Sequence, residues 1–474
     1  MLEIYNTLSK KIEEFKPIKK GRVGMYTCGP TVYDYDHLGH GWNYFNADIL
    51  RRVLEYNGYK VNQVMNITDV GHLISDGDTG EDKLEKSAKE AGKSAKEIAE
   101  FFEKIYLANR KKLNLLAPAV ICRATGHIRE MIDLVQTLLN KGYAYEISDG
   151  IYFDVSKFPD YGKLSGNTLD QLKDGARIEV NPEKRNAVDF ALWKFSPEGE
   201  KRQMEWPAFG KKGFPGWHIE CSAMSMKYLG RHFDIHTGGE DNIFPHHECE
   251  IAQSQSATGE NFVNYWFHTR FLQVEGGKMS KSKKKFYTLA DLAARGFEAL
   301  DLRYLFLTAH YRSQLNFTWE GLEAAKVARQ KLNDFIVGIP ARPSPFIRGR
   351  LGGGKANKDY KNKFEALINN DLAMPQVMAL VWDLVKSDIA DKDKKATLLD
   401  FDRVLGLDLD KVKKLEIPSE VKKLAEKRLE ARKNKNWAES DRLREEIKNL
   451  GFEIEDEKEG YKLKKFFVVV YKID

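Results

Sequence analysis

The period of the apolar residues changes twice near the start of the chain. Positions 22–28 (RVGMYTC) form a short apolar-rich stretch and the loop GPTVYDYD follows. Residues 40–57 then place Trp42, Phe45, Ile49, Val53 and Tyr56 at the spacing of one helix face. Gly58 stands where helices commonly end in the left-handed conformation, and 60–67 resumes a strand-like run. Strand, helix and strand in this order predict a βαβ unit of a parallel sheet, and so an α/β domain. Residues 76–116 and 122–139 carry helical spacing and predict helices over that sheet. At 143–155 (YAYEISDGIYFDV) the pattern alternates around Ser148, Asp149 and Gly150; a hairpin is expected there, and 119–208 reads as an insertion. From Gly216 the α/β character returns. After about 319 the spacing is helical, interrupted by the Gly- and Lys-rich stretch 348–363, which predicts an exposed linker.

Length and composition narrow the class. A chain of 474 residues, 42% hydrophobic and 31% charged, can bury several cores and suits roughly two to four domains. No apolar run approaches the roughly 18 to 20 residues that span a bilayer. The N-terminus MLEIYNTLSKKIEEF lacks a secretory h-region, so a cytoplasmic protein without membrane partners is expected. Cys28, Cys122, Cys221 and Cys249 are too few and too scattered for a disulfide scaffold, which leaves metal binding or burial. With 76 basic and 70 acidic residues the net charge is +6, compatible with a polyanionic partner without establishing one.

Three constellations carry chemistry. His37-Leu38-Gly39-His40 stands where loop becomes helix, a place where free N–H groups and the helix dipole favour phosphate oxygens. Gly39 lets a nucleotide approach the backbone. Alone, the tetrapeptide reads equally as one capping and one packed histidine. Lys278-Met279-Ser280-Lys281-Ser282 follows Gly276-Gly277 and offers two ammonium groups suited to charge moving onto a leaving pyrophosphate. Alone, it is equally a solvated basic loop. Together the two are more specific, because both must converge on one triphosphate. His246 and Glu250, four residues apart, share a helix face. With Cys28 and Cys221 they make a candidate tetrahedral zinc site; plain buried thiols are the alternative.

HLGH paired with KMSKS resembles the signature of class I aminoacyl-tRNA synthetases, with Leu38 where that motif commonly has Ile. CGPTVYD, NITD at 66–69, DFALWK at 189–194, GWHIECSAM at 216–224, FDIH, GGEDNIFPHHE, HYRSQLNFT at 310–318, NNDLAMPQVMALV at 369–381 and ARKNKNWAESDRLREEIKNLGFEIED at 431–456 resemble the cysteinyl-tRNA synthetase family, in the family's order and over nearly the whole chain.

That resemblance implies a Rossmann-like catalytic domain over 1–118 and 209–277, with an inserted connective subdomain at 119–208. A stem-contact region carrying KMSKS at 278–318, a helical bundle at 319–410 and a small C-terminal domain at 415–474 follow, the last two holding the anticodon end of tRNA. It implies one zinc ion per subunit on Cys28, Cys221, His246 and Glu250, binding the substrate thiolate. Gly29, Thr68, Trp217, His236 and Asp241 would line the cysteine pocket, Asp241 facing the α-ammonium. His37, Gly39, His40 and Lys281 would meet the ATP phosphates, with His37, His40, Lys278 and Lys281 as the catalytic set and magnesium accompanying ATP. Implied partners are tRNA(Cys), L-cysteine and ATP, and the implied state is a monomer.

Some features depart from the family pattern. Cys249 and His247 crowd the metal-face residues and are read as a packed thiol and a bystander. The run 283–285 is lysine where a Leu-Gly-Asn-like turn is usual. The tail 466–471 (FFVVVY) is expected to add a strand to the C-terminal domain. Two rival functions use the same fold: a ligase joining cysteine to an amino sugar, which would lack the C-terminal module, and a non-catalytic tRNA-binding paralogue, which would have no need of both motifs and all four candidate ligands.

Overall fold

The computed structural model describes residues 1–71, 82–167, 181–197, 199, 202–278, 286–338, 354–412, 417–457 and 460–465. Its centre is a five-stranded parallel sheet in the order Val263–Thr269, Phe233–Gly239, Arg22–Thr27, Lys60–Ile67, Val120–Arg123. Both faces are covered, so the inner strands read as apolar runs: Met25, Tyr26, Val64, Met65, Ile67 and Ile235 are fully buried. The expected βαβ unit is present, with helix Leu38–Tyr56 crossing between its first two strands and burying Trp42, Phe45, Ile49, Leu50, Val53 and Leu54. Gly58 lies beyond that helix at φ +87°, the conformation that favours glycine.

Two expectations are corrected. Cys122 and Arg123, read as the start of the helix at 122–139, belong to the strand Val120–Arg123 at the edge of the parallel sheet, and the α-helix begins only at Ile128. Residues 358–363, read as linker, open the helix Lys358–Asn369 under the Asn357 cap. The hairpin at 144–153 is present and belongs to a second, antiparallel sheet in the order Ala144–Ile147, Gly150–Phe153, Phe190–Phe195, Lys211–Pro215, Trp206–Ala208. Its fourth strand, Lys211–Pro215, lies beyond residue 208, so this layer leads directly into the helix Trp217–Leu229.

Helices Trp319–Gly338, Lys358–Asn369, Met374–Lys386 and Asp391–Leu405 pack around Phe364, Val381, Leu384, Leu398 and Phe401. The Phe364 and Phe401 rings stack at 4.0 Å. The last unit has its own core of Val421, Ala425, Leu443, Ile447 and Ile454, formed by two helices and the hairpin of Phe452–Glu457 with Gly460–Lys465. The expected strand at 466–471 lies outside the described residues.

One buried arginine ties the bundle to the parallel-sheet layer. Arg303, with no exposed side chain, donates to the carbonyls of Leu405 at 2.7 Å and Leu113 at 2.9 Å and to Asp48 Oδ2 at 2.9 Å; Asp48 is also paired with Arg52 at 2.7 Å. Removing one partner of a buried pair leaves the other uncompensated. Arg303→Ala is therefore expected to destabilise the chain by about 3–5 kcal/mol, with Arg303→Lys recovering only part because an ammonium lacks the planar fork. Urea denaturation checks this; a loss below about 1 kcal/mol, the scale of an exposed pair, would contradict it.

Candidate active site and metal centre

The order of the parallel sheet locates the site. The chain enters at Arg22–Thr27, builds outward through Lys60–Ile67 and Val120–Arg123, and returns to the other side at Phe233–Gly239. In open α/β sheets, ligands bind beyond the carboxyl ends of strands at such a reversal. Cys28 and Gly29 follow one of the two strands flanking this point, and Asp241 follows the other.

Four candidate ligands meet there. The donor atoms of Cys28, Cys221, His246 and Glu250 all lie within 4.8 Å of one another and all four residues are buried. Cys28 Sγ is 3.8 Å from Cys221 Sγ and 3.9 Å from Glu250 Oε1, and His246 Nε2 is 3.3 Å from the same oxygen. Each arrives on a different support. Cys221 sits in the helix Trp217–Leu229, whose start is pinned by Gly216 donating to the Leu192 carbonyl at 2.9 Å. His246 lies in the single turn Ile243–His247 that runs into the helix of Glu250.

Burial makes this cluster unsuited to holding negative charge by itself. The Cys28 thiol is pushed up to about 11, chiefly by burial and further by the charges of Glu250 and Asp241, against a lowering hydrogen bond from Cys221. Cys221 is raised well above the usual thiol range by its bond to Cys28 and by burial. Burial likewise raises Glu250. Two thiols, an imidazole and a carboxylate in tetrahedral number fit a borderline-soft divalent cation such as zinc, which would supply the missing positive charge.

A second donor set shares two of these residues. Cys28, His236, His247 and Glu250 also lie within 4.8 Å of one another, with His236 Nε2 3.0 Å from Glu250 Oε2 and His247 Nε2 3.3 Å from Cys28 Sγ. His247, read from the sequence as a bystander, is thus part of the cluster. A Cβ on Gly238 would stand 2.7 Å from its ring, so the glycine makes room for it. Cys249 falls in neither donor set; its sulfur lies 3.4 Å from the Tyr161 hydroxyl.

The other expected pocket residues surround the cage. The Trp217 ring lies 4.9 Å from His246, and His236 stacks on Trp266 at 4.8 Å, its Nδ1 buried with no hydrogen-bond partner. Thr68 donates to Glu220 Oε2 at 2.7 Å beside Cys221. Gly29 donates to Asn66 Oδ1 at 2.7 Å, and a Cβ there would collide with the Asn66 carbonyl at 1.6 Å. Asp241 is exposed, folded over Gly239. Sequence reasoning missed His218, whose Nδ1 is 2.8 Å from His246 Nδ1, and His268, 2.8 Å from His247 Nδ1. The alternation of Trp266 and His268 on one strand face was the available signal.

HLGH is a capping box made of histidines. His37 is the N-cap; its Nδ1 accepts from Gly39 N at 3.1 Å and His40 N at 3.3 Å, while His40 Nδ1 accepts from His37 N at 3.3 Å. Both Nδ1 atoms are therefore acceptors, which puts the proton of each neutral ring on Nε2. The rings stack at 3.8 Å. Two N–H groups on one helix start make a donor pair for phosphate oxygens. Lys278 ends a short strand paired with Gln273. Its side chain, and Lys281 altogether, lie outside the described residues. Immediately after them, Phe286 meets His37 edge-on at 5.3 Å and the Tyr287 carbonyl accepts from Leu38 N at 2.9 Å, so the segment leaving KMSKS returns to HLGH.

Comparison with known proteins agrees with this geometry. Residues 14–327 match the family model of the tRNA synthetases class I (C) catalytic domain, and the chain is a class I synthetase by fold. A methionyl-tRNA synthetase from Mycobacterium tuberculosis, bound by methionyl-adenylate, has the same fold at TM-score 0.53 and 15% identity, over 81% of this chain and 90% of that one. Residues 415–461 match the cysteinyl-tRNA ligase anticodon binding domain. Curated relatives include cysteine–tRNA ligase 1 of Burkholderia lata, 47% identical over 98% of this chain and 96% of the relative, and cysteine–tRNA ligase of Treponema denticola, 44% identical over 96% and 98%. The chain belongs to the cysteine–tRNA ligase family.

Burial holds His37 down to about 4 and, with the charge of His37, His40 down to about 3. The folded chain keeps both neutral where the unfolded chain binds protons near 6.5, so stability present above about 6.5 is lost as pH falls towards 4 and 3. A His37→Asn, His40→Gln variant keeps a capping box and is expected to flatten the dependence between pH 6.5 and 4 in denaturation curves. A slope unchanged from the parent would contradict the assignment.

Proposed function

We propose that the chain activates L-cysteine with ATP and transfers it to tRNA(Cys), using one zinc ion per subunit held by Cys28, Cys221, His246 and Glu250. The observation that carries this reading is the buried two-thiol donor set at the sheet's reversal point, in the same domain as the histidine capping box. When bound, zinc would take the substrate thiolate directly, a preference for soft sulfur over a neutral hydroxyl that a merely shaped pocket cannot match.

The chain's own residues do the rest. Trp217, Thr68, Gly29 and His236 close the pocket around the side chain, and Asp241 faces the α-ammonium. The substrate carboxylate attacks the α-phosphorus of ATP, giving cysteinyl-adenylate and pyrophosphate, which leaves with its magnesium. The Nε2–H groups of His37 and His40 stabilise the phosphate oxygens in place, Gly39 leaves room for the nucleotide to approach, and Lys278 and Lys281 follow the charge onto pyrophosphate. A terminal ribose hydroxyl of the tRNA then attacks the carbonyl and AMP departs. We assign 1–118 and 209–277 to catalysis around the inserted 119–208, with the strand Val120–Arg123 belonging to the catalytic sheet and Lys211–Pro215 to the inserted layer across those bounds. The stem contact falls to 278–318, and the anticodon end to 319–410 and 415–474. The enzyme acts in the cytoplasm as a monomer on this reading. The match at 415–461 disfavours a cysteine ligase acting on an amino sugar.

The test is cysteine-dependent exchange of labelled pyrophosphate into ATP. Exchange is expected with cysteine, negligible with serine and lost on zinc chelation, with Cys221→Ser lowering both zinc content and cysteine-dependent exchange by about 100-fold or more. Zinc-loaded folded protein that exchanges equally with serine, or not at all, would refute the reading.

A further inference from the structure

The turn that precedes helix Met374–Lys386 is strained. Asp371 and Leu372 are consecutive non-glycine residues in the left-handed region, at φ +50° and +56°, a conformation that persists only where its surroundings impose it. The surroundings here are specific. The buried Asp371 carboxylate accepts from Tyr311 Oη at 2.5 Å, from Arg312 Nε at 2.7 Å and from the Tyr5 backbone N–H at 2.9 Å. Its own N–H donates to the Glu3 carbonyl at 3.0 Å, and its carbonyl lies 2.7 Å from His310 Nε2. The Arg312 guanidinium also covers the Tyr5 ring at 4.8 Å. One side chain thus joins the bundle, the 310–312 segment and the N-terminal strand Glu3–Asn6.

That strand continues into the site. Asn6 Oδ1 accepts from Trp266 N at 3.0 Å and Thr7 N donates to the Trp266 carbonyl at 3.0 Å, which sets Thr7 beside His268. Thr7 Oγ1 is 2.7 Å from His268 Nδ1, His268 Nε2 is 2.8 Å from His247 Nδ1, and His247 Nε2 is 3.3 Å from Cys28 Sγ. Two imidazoles in line cannot choose their tautomers independently. When Thr7 donates to His268, His268 donates to His247, and His247 presents an N–H to the sulfur of Cys28. That order suits a thiolate, and outer hydrogen bonds of this kind fix the orientation of metal-binding side chains.

We propose that Asp371 and Thr7 are positioning residues for the cysteine site. Asp371 fixes the N-terminal strand, and Thr7 on that strand holds the His268–His247 pair with an N–H towards Cys28. The inference rests on the reading of this cage as the cysteine site.

Two variants break the link at its two ends, and a third restores it. Thr7→Val keeps the size and backbone N–H of Thr7 and removes the hydroxyl; Thr7→Ser keeps the hydroxyl; Asp371→Asn loosens the far clasp. In pyrophosphate exchange, Thr7→Val and Asp371→Asn are each expected to raise KM for cysteine on the order of 10-fold with KM for ATP unchanged. Thr7→Ser should remain near the parent. The double variant should be no worse than Thr7→Val alone, because both act through one link. In cobalt-loaded protein the thiolate-to-cobalt absorption band should shift in Thr7→Val and not in Thr7→Ser. Unchanged KM for cysteine and an unshifted band in Thr7→Val would overturn the proposal, as would penalties that multiply in the double variant or KM for ATP rising in step. If Asp371→Asn fails to fold, Thr7→Val and Thr7→Ser still decide. If the parent itself shows no cysteine-dependent exchange, the underlying reading fails, and the cobalt band alone then judges the positioning.

Discussion

A protein interior does not hold two thiolates and a carboxylate side by side without a compensating cation. Cys28, Cys221 and Glu250 are buried with their donor atoms within 4.8 Å of one another, and burial, joined at Cys221 by its bond to Cys28, holds each towards its neutral form. Much of the catalytic half of the molecule is arranged to make that cluster. The parallel sheet brings Cys28 to its reversal point, the antiparallel layer pins the helix of Cys221, and glycines at 29 and 238 remove the side chains that would block the approach of Asn66 and His247. Charge neutralisation links fold to function here, because a donor set left without a cation has folding free energy still to gain by binding one.

The nucleotide end follows a different rule. HLGH answers the need of a helix start for acceptors, and meeting that need with Nδ1 atoms leaves two Nε2–H groups as donors. Capping, one of the two readings of the bare tetrapeptide, is what the structure shows, and it leaves free the Nε2–H donors that the proposed phosphate contact would use. The return of the 286–287 segment to this helix brings the exit from KMSKS to the same place.

Legibility in the sequence tracked locality. The βαβ unit was readable because Trp42, Phe45, Ile49 and Val53 keep a helical period between two apolar runs. The four candidate ligands were singled out through motifs that resemble a family, and only His246 with Glu250 had a spacing that argued for itself. Cys122 and Arg123 were misread into the helix at 122–139 because so short a segment carries no period of its own; the pairing with Lys60–Ile67 makes Val120–Arg123 a strand. Lys211–Pro215, polar in its first two positions, is likewise a strand through its neighbours at Phe190–Phe195 and Trp206–Ala208. His247 was read as a bystander and His268 escaped notice because their partners, Cys28 and Thr7, are more than two hundred residues away.

X-ray absorption at the zinc edge tests the central claim most directly. The account predicts a first shell of two sulfurs with nitrogen and oxygen completing four ligands in the purified protein, and a third sulfur on adding cysteine but not serine. A shell made of nitrogen and oxygen alone, or one that cysteine leaves unchanged, would contradict it.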